Sequence, residues 1–255
     1  MKIAIIGVGA MGGAILKGYC RYGKFDLVTM NPENQRVSQL TDRLGVQLVY
    51  QTKQVVATHP DVVILTTPAP VTVDVARTLA NLSPATIIIS AAAGVSQADL
   101  RKVLTTQTIA TMIPNTPVAV NAGAIGLAMP DQASTAQQQT IKDVLSPLGD
   151  IIEVPENQLG IVGVIGGCGP AFVDVFMDAM SDAAVLHGMG RQTAYELVAS
   201  MVKGSGALAT ATKEAPALLR DQVTSPGGTT IRGVASLEKD GFRHAVIDAV
   251  NKSNE

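Results

Sequence analysis

The sequence predicts an α/β domain with a parallel sheet, followed by an all-α domain. Three observations predict this fold class. Short, continuously apolar runs alternate with helical patterns up to about residue 153, as in a parallel sheet covered on both faces. A glycine-rich turn follows the first apolar run, and beyond Pro155 only helical patterns remain. We therefore expect one domain at residues 1–155 and a second at residues 156–255.

Each element follows from its apolar spacing and from the turn residues that flank it. Strands are predicted at residues 2–7, 27–30, 46–49, 62–66, 86–90, 108–112, 124–129 and 151–153. Helices between them are predicted at residues 10–21, 33–44, 51–58, 71–81, 97–104 and 133–145. The second domain is predicted to hold helices at residues 158–188, 193–212, 215–223, 229–239 and 243–252. Their small residues favour packing against a second copy as readily as within one chain.

Composition excludes several classes of function. The formal net charge is −2, aromatic residues make up 3%, and tryptophan is absent, so nucleic acid is not an expected partner. Cys20, Cys168 and the three histidines have no metal-ligand spacing, and we interpret the cysteines as free, buried thiols. Glycines interrupt the apolar start, and the apolar run at residues 85–95 is too short to span a bilayer. We expect a cytoplasmic protein with no metal and no membrane contact.

The turn after the first strand has the pattern of a dinucleotide site. Gly7, Gly9 and Gly12 form G-x-G-x-x-G at a strand-to-helix junction, with Ala10 and Met11 between them. The first glycine permits a tight turn, the second lets a pyrophosphate approach the backbone, and the third lets helix and strand pack closely. The alternative is a purely structural glycine turn.

The end of the second strand bears on the choice of cofactor. An NAD-specific protein places an acidic residue there to bind the ribose hydroxyls, whereas this chain has Asn31, followed by Glu33 and Arg36. Asn31 can bind a phosphate, and Arg36 can reach a 2′-phosphate, so NADP is favoured; Glu33 keeps NAD open. The alternative makes Asn31 a helix cap and Arg36 a solvated charge.

Three further loops follow predicted strands, where ligands bind in open α/β sheets. The candidate cofactor-binding residues in these loops are Thr67, Pro68, Ala92, Ala93, Gly94 and Asn115. Asn115 lies between Pro114 and Pro117, and its amide offers a donor and an acceptor that suit a nicotinamide carboxamide. A structural turn would also account for the Pro-Asn pair.

Residues 225–230, Ser-Pro-Gly-Gly-Thr-Thr, are the candidate substrate site. The backbone N–H groups of Gly227, Gly228, Thr229 and Thr230 can converge where the next helix begins and bind a carboxylate or phosphate. Three hydroxyls in six residues exceed what a turn needs. The alternative is an ordinary helix cap, because Ser and Thr are common caps.

The chain lacks an obvious acid/base residue for alcohol oxidation. β-Hydroxyacid dehydrogenases use the lysine of a Gly-x-x-Gly-x-x-x-Lys pattern, and here Gly160 and Gly163 are followed by Gly167. An imine needs less acid/base help, since its nitrogen can be protonated near neutral pH before hydride arrives. Imine reduction therefore fits the sequence better than alcohol oxidation.

Three motifs, behind the N-terminal G-x-G-x-x-G, carry a resemblance to a known family. Residues 113–117 (IPNTP), 166–172 (GGCGPAF) and 225–231 (SPGGTTI) occur in this order. Over essentially its whole length the chain is similar to pyrroline-5-carboxylate reductases, and residues 225–230 are the most specific part. The resemblance implies a Rossmann-type N-terminal domain, a C-terminal dimerisation domain and NAD(P)H-dependent formation of L-proline, the last step of proline biosynthesis. It also implies a homodimer, and in several members higher oligomers of dimers.

The resemblance further implies site roles. The loop at Ser225 and at Gly228 to Thr230 would hold the substrate carboxylate, and the Thr230 hydroxyl would contact the imine nitrogen. We expect Thr230 to orient the iminium or to relay a proton from water, because a threonine hydroxyl is too weak an acid to protonate an imine alone.

The chain departs from the family at three places. Thr67 stands where the family usually has lysine, and Thr111 and Ile113 stand for its usual Arg and Met. The segment at residues 166–172 lacks the family's two serines and its tyrosine, with Gly166, Cys168 and Phe172 in their place. Its glycines suit either close approach of a nicotinamide or tight helix packing. Two other functions stay open: reduction of another cyclic imino acid, and a weakly catalytic, cofactor-binding regulatory role.

Overall fold

The computed structural model describes residues 1–255 as two compact units, Met1–Gly167 and Cys168–Glu255. Residues 156–167, expected to open the second domain, lie within the first unit. Leu159 and Val164 are buried there, and a Cβ atom on Gly126 would collide with the side chain of Val162. Close packing on the sheet therefore keeps this segment with the first unit.

The first unit contains one eight-stranded sheet. Its strands are β1 Lys2–Ile6, β2 Asp26–Met30, β3 Gln47–Val49, β4 Val62–Leu65, β5 Ile87–Ser90, β6 Thr108–Ile113, β7 Gly123–Ala128 and β8 Gly149–Glu153. All eight predicted strands are present, in the order β3-β2-β1-β4-β5-β6-β7-β8. Strands β1 to β6 pair in parallel, as predicted.

The last two strands depart from the predicted parallel arrangement. Strand β7 runs antiparallel to β6, with Thr111 opposite Ala128, and β8 runs parallel to β7. The connection from Ile113 to Gly123 holds only a 3₁₀ turn at Thr116–Val120. It is too short for the crossover that two parallel strands require, so the chain reverses.

Helices cover both faces of the sheet. They are α1 Ala10–Tyr22, α2 Gln35–Leu44, α3 Thr52–Val56, α4 Ala69–Arg77, α5 Gln97–Arg101, α6 Thr135–Leu145 and α7 Leu159–Val162. Ser96 and Ser134 begin α5 and α6 with reciprocal capping boxes, the arrangement that satisfies two backbone donors at once. These caps explain why both helices begin close to their predicted positions.

Two apolar cores lie on opposite faces of the sheet. Alternate residues of β1 divide between them: Ile3 and Ile5 enter one core, Ala4 and Ile6 the other. Tyr19 of α1 is fully buried in the first core, and its hydroxyl donates to the carbonyl oxygen of Val144 at 3.1 Å. Burial raises the pKa of Tyr19, because the charged form loses its hydration.

The second unit is entirely helical, as predicted. Its helices are α8 Gly169–Leu186, α9 Arg191–Thr212, α10 Pro216–Gln222, α11 Thr229–Lys239 and α12 Phe242–Ser253. Only Ser181, Ala194 and Val198 are buried in this unit, whereas large apolar side chains such as Val175 (72% exposed) and Leu186 (83% exposed) face outward. So large an exposed apolar surface marks an interaction site.

One helical segment is long and apolar enough to cross a membrane. Glu156–Leu186 contains an 18-residue window with a mean hydropathy of 1.8, and 11% of that window is buried. Further along, Asp174, Asp178 and Asp182 recur every four residues, which places three carboxylates on one face of α8. Asp178 and Asp182 contact Tyr195 and Arg191 of the next helical segment, and a single apolar window is weak evidence for a membrane span.

The cysteines form no disulfide. Cys20 and Cys168 are free, as predicted, and partly buried, and burial raises the pKa of the Cys20 thiol. The structure contains no group of three His, Cys, Asp or Glu side chains that could hold a metal ion.

Candidate cofactor and substrate sites

The glycine-rich loop between β1 and α1 is a tight turn that packs against the end of β4. Gly7 has a φ of +94°, a region that glycine enters without strain, and its N–H donates to the carbonyl oxygen of Met30 at 2.9 Å. A Cβ atom on Gly12 would collide with the carbonyl oxygen of Gly7 and with Oγ1 of Thr66. Gly7 and Gly12 therefore have the turn and packing roles that the pattern predicts.

Gly9 leaves open space at the start of α1. A Cβ atom on Gly9 would meet no heavy atom within 4 Å. The N–H groups of Ala10, Met11 and Gly12 belong to the first helical turn and have no acceptor within the helix. This combination fits a phosphate group, which binds where free N–H groups and the positive end of a helix dipole coincide.

Asn31 holds the loop in place from the end of β2. Its Oδ1 accepts a hydrogen bond from the N–H of Val8 at 2.9 Å, and its Nδ2 donates to the carbonyl oxygen of Pro32 at 2.8 Å. The alternative that Asn31 caps the next helix is wrong, because Asn34 caps α2 by accepting from two backbone N–H groups. A phosphate contact by Asn31 stays a prediction, with most of its amide already used.

Arg36 is exposed and has no acidic partner in the structure. It lines a groove of about 430 Å³ that also contains Gly9, Ala10, Lys17 and Arg43. The groove contains no acidic side chain, so three cations surround a space that begins at the glycine-rich loop. Its charge suits an anionic group of a bound dinucleotide.

The loop after β4 supports the glycine-rich turn. Thr66 Oγ1 donates to the carbonyl oxygen of Gly7 at 2.5 Å. The Thr67 hydroxyl lies 2.8 Å from that of Thr72, and Pro68 precedes α4. Thr67, at the position of the lost lysine, is therefore tied to the first turn of α4.

A cavity of about 620 Å³ opens beside the ends of β5 and β6. It is lined by Met11, residues 91–96, residues 111–114, Glu156, Asn157, Leu159, Gly160 and Gly163. The predicted cofactor residues Ala92, Ala93 and Gly94 thus surround one space with Met11. Size and apolar lining suit a flat ring, because ligand cavities of this kind combine apolar walls with few polar groups.

The glycine-rich interruption of the helical segment is a π-helical turn at Gly163–Cys168, a feature frequent at functional sites. Gly160 and Gly163 line the cavity, whereas Gly166 lines a separate apolar groove with Gly126 and Ile152. A ring bound in the cavity can therefore approach the backbone at Gly160 and Gly163.

Asn115 is 8% exposed, and its Oδ1 accepts from the N–H of Ala124 at 2.9 Å. It does not line the cavity. Its oxygen thus fixes the start of β7, as the structural alternative expected, and only Nδ2 is free for the predicted nicotinamide contact.

Glu156 is a cavity residue that the sequence analysis missed. Its Oε1 accepts from the N–H of Gln97 at 2.7 Å and from the Thr111 hydroxyl at 2.9 Å. Glu156 follows β8, and it reaches Thr111 because β7 reverses direction beside β6. The only signal in the sequence was a carboxylate three positions after the last strand.

The candidate substrate loop is a turn that leads into α11. Pro226 and Gly227 are its central residues, Gly227 has a φ of +68°, and the Gly228 N–H donates to the Ser225 carbonyl oxygen at 3.0 Å. This is the pattern of a type II turn. A Cβ atom on Gly228 would collide with Oγ of Ser225.

The turn changes which N–H groups can bind an anion. The Gly228 N–H closes the turn by donating to the Ser225 carbonyl oxygen, so its predicted place in the anion site stays a prediction. The N–H groups of Thr229 and Thr230 open α11 and have no acceptor within the helix. Ser225, Thr229 and Thr230 are exposed, so their hydroxyls are available to a ligand.

Comparison with known proteins identifies the family. Residues 156–255 match the family model for pyrroline-5-carboxylate reductase dimerisation, and residues 2–94 match the model for NADP oxidoreductase, coenzyme F420-dependent. The chain is 36% identical over 253 residues to the pyrroline-5-carboxylate reductase of Synechocystis sp., covering 98% of this chain and 94% of that protein. The chain belongs to the pyrroline-5-carboxylate reductase family. The Escherichia coli K12 member is 34% identical, covering 100% of this chain and 96% of its own.

Solved structures of pyrroline-5-carboxylate reductases share the fold. The Coxiella burnetii structure is 28% identical, covers 99% of this chain and 95% of its own, and has a TM-score of 0.85. The Plasmodium falciparum structure, solved with NADP bound, is 25% identical, covers 100% and 95%, and has a TM-score of 0.83. The resemblance based on three motifs is therefore confirmed over the whole chain. A dimerisation domain at residues 156–255 indicates a homo-oligomer.

Proposed function

We propose that this protein reduces the C=N bond of 1-pyrroline-5-carboxylate with NADPH, giving L-proline in the last step of proline biosynthesis. The observation that carries the proposal is full-length similarity to pyrroline-5-carboxylate reductases in a chain that keeps residues 225–230 intact. When bound, NADPH supplies the hydride that adds to the imine carbon. The residues of the chain bind, orient and provide a path for the proton.

The turn at residues 225–230 holds the substrate carboxylate in this proposal. The free N–H groups of Thr229 and Thr230 are directed along the axis of an 11-residue helix, whose dipole favours an anion at this end. Ser225 adds a hydroxyl donor beside them. With the carboxylate fixed, the ring of the substrate has one orientation relative to Thr230.

The Thr230 hydroxyl acts at the imine nitrogen. It accepts a hydrogen bond from the protonated nitrogen or passes a proton from water, since its own acidity is too low to protonate an imine. This role needs no strong acid/base side chain. It therefore agrees with the presence of Gly167 where β-hydroxyacid dehydrogenases have their lysine.

The cofactor is held in the first unit. We assign the pyrophosphate to Gly7, Gly9, Ala10, Met11 and Gly12. The nicotinamide is assigned to the cavity that Ala92, Ala93 and Gly94 line, and the remaining contacts to Asn31, Thr67, Pro68 and Asn115. The 2′-phosphate is assigned to Arg36, because this exposed cation has no acidic partner and lines the groove that begins at Gly9.

Arg36→Ala should raise the Kd for NADPH about tenfold and leave the Kd for NADH within twofold. One charge-assisted hydrogen bond to a phosphate contributes about 1.5–3 kcal/mol, and NADH has no 2′-phosphate. Calorimetric titration with each cofactor measures both constants, because the chain has no tryptophan whose fluorescence could report binding. Arg77→Ala, which removes an exposed cation at the end of α4 outside the groove, is the matched control and should leave both constants unchanged. Equal weakening of both cofactors by Arg36→Ala would contradict the phosphate contact.

We further propose a homodimer located in the cytoplasm. Support for the dimer comes from the dimerisation domain and from the poorly buried helices of the second unit. Free thiols at Cys20 and Cys168 agree with a reducing compartment. Mass measurement in solution distinguishes a dimer from a higher oligomer of dimers.

The direct test adds 1-pyrroline-5-carboxylate to the purified protein with NADPH or NADH and follows the absorbance of the reduced nicotinamide. We expect consumption with stoichiometric formation of L-proline. Six-membered cyclic imino acids are tested in parallel, because the altered segment at residues 166–172 could permit a different substrate. Faster turnover of those would favour the alternative substrate, and cofactor binding without turnover of any imine would overturn the proposal.

A further inference from the structure

The cavity beside β5 and β6 contains one carboxylate whose charge is not compensated by a neighbouring cation. Glu156 lines the cavity and is half-buried. Its Oε1 accepts from the Gln97 N–H and from the Thr111 hydroxyl. The structure shows no hydrogen bond to Oε2 of Glu156.

No salt bridge involves Glu156, and the two cations at the end of α5 are engaged elsewhere. Arg101 donates to Oε1 of Gln97 at 3.4 Å. Lys102 pairs with Asp99 at 2.7 Å. A half-buried carboxylate loses hydration, and without a cationic partner that loss is not offset by an ion pair.

Apart from Ser96, Thr111 and Asn157, the remaining walls of the cavity are apolar or small. Alanines, glycines, Met112, Ile113 and Pro114 line it, so it fits a flat, weakly polar ring better than a polyanion. A carboxylate in such a wall favours a ring that carries positive charge. Nicotinamide is neutral in the reduced cofactor and positively charged in the oxidised one.

We propose that the Glu156 carboxylate makes the cavity selective for the positively charged form of the nicotinamide ring, so that the protein binds NADP⁺ more tightly than a neutral wall would allow. The inference rests on the proposed use of NADP. Glu156 thereby favours the charge that develops on the ring during reduction of the substrate. It also slows release of the oxidised cofactor, because the same attraction acts after the reaction.

The Gln97 N–H and the Thr111 hydroxyl have a different role from the charge of Glu156. Both bind Oε1, and Thr111 is 3% exposed, so they fix the position of the carboxylate without neutralising it. Removing the charge and removing a donor should therefore have different effects on the two cofactor forms.

The test compares Kd values for NADP⁺ and NADPH, measured by calorimetry and by fluorescence, in wild type and in Glu156→Gln. The ratio of the Kd for NADP⁺ to that for NADPH should rise about tenfold in the variant, the effect of one nearby charge partly screened by water. Thr111→Val keeps the charge and should leave the ratio within twofold. Glu153→Gln, which removes a carboxylate paired with Lys142 outside the cavity, should leave it unchanged.

Three results would overturn the inference. An unchanged ratio in Glu156→Gln removes the electrostatic role while leaving the proposed reductase intact. A tenfold change in Thr111→Val as well would reduce Glu156 to a structural residue. Failure of wild type to bind either form would overturn the proposed function and this inference together. If the Gln variant does not fold, Glu156→Ala, which opens the two donors to water, has the same expected ratio.

Discussion

Gly9→Ala should fold and melt like wild type yet bind NADPH about 100-fold more weakly. The added methyl group meets no protein atom within 4 Å, and Gly9 has a φ of −74°, on the negative side that residues with a Cβ atom adopt. The methyl group would instead occupy the space through which a pyrophosphate reaches the backbone. Calorimetric titration with NADPH and a thermal melt of the same sample measure the two quantities.

Gly12→Ala is the matched contrast, three residues along the same loop. Here the new methyl group would collide with the Gly7 carbonyl oxygen, which is backbone and cannot rotate away, and with Thr66 Oγ1. We expect a loss of about 3 kcal/mol in the free energy of unfolding, the upper range for overpacking. A destabilised Gly9→Ala with intact binding, or a Gly12→Ala as stable as wild type, would contradict the division of roles.

Thr230→Ala should lower kcat for 1-pyrroline-5-carboxylate about 10- to 150-fold with little change in the Kd for NADPH. The substitution removes one hydroxyl that contacts a charged nitrogen, and such a hydrogen bond contributes about 1.5–3 kcal/mol. The carboxylate contacts through backbone N–H groups persist, so KM should change less than kcat. Steady-state assays at saturating NADPH separate the two constants.

Two variants make the result specific. Thr230→Ser keeps the hydroxyl and should retain activity within about fivefold. Thr224→Ala removes a hydroxyl that donates to the Asp221 carbonyl oxygen at 3.2 Å, just before the turn, and should leave kcat unchanged. Turnover of Thr230→Ala within twofold of wild type would exclude the orienting role.

Local patterns were sufficient for most of the fold. All strands and helices could be predicted, because continuous apolar runs and capping residues such as Ser96 and Ser134 act within a few positions of the chain. The reversed direction of β7 could not be predicted. Strand direction depends on the loop from Ile113 to Gly123 and on the strand with which β7 pairs. Asn34, and not Asn31, caps α2, because Oδ1 of Asn31 accepts from the N–H of Val8 instead.

For the candidate site, too, some features could be predicted from local patterns and others could not. Gly7 and Gly12 were predictable, since their roles depend on backbone conformation and on contacts that the G-x-G-x-x-G pattern encodes. The amide oxygens of Asn31 and Asn115 bind N–H groups 23 and nine residues away, and no local pattern indicates which donor an amide will find. Glu156 meets Thr111 across 45 residues, and that meeting depends on the unpredicted direction of β7.

The thin interior of the second unit has a consequence for how the protein matures. The first unit, with two cores on its sheet, leaves the ribosome first and can fold on its own. Helices α8 to α12 bury only Ser181, Ala194 and Val198, so they stay incomplete until another helical surface covers them. A newly made subunit is therefore unassembled for a time, and chaperones and proteases can recognise its exposed apolar helices. Its survival depends on how soon it meets a second copy, which couples the amount of functional protein to the rate of its own synthesis.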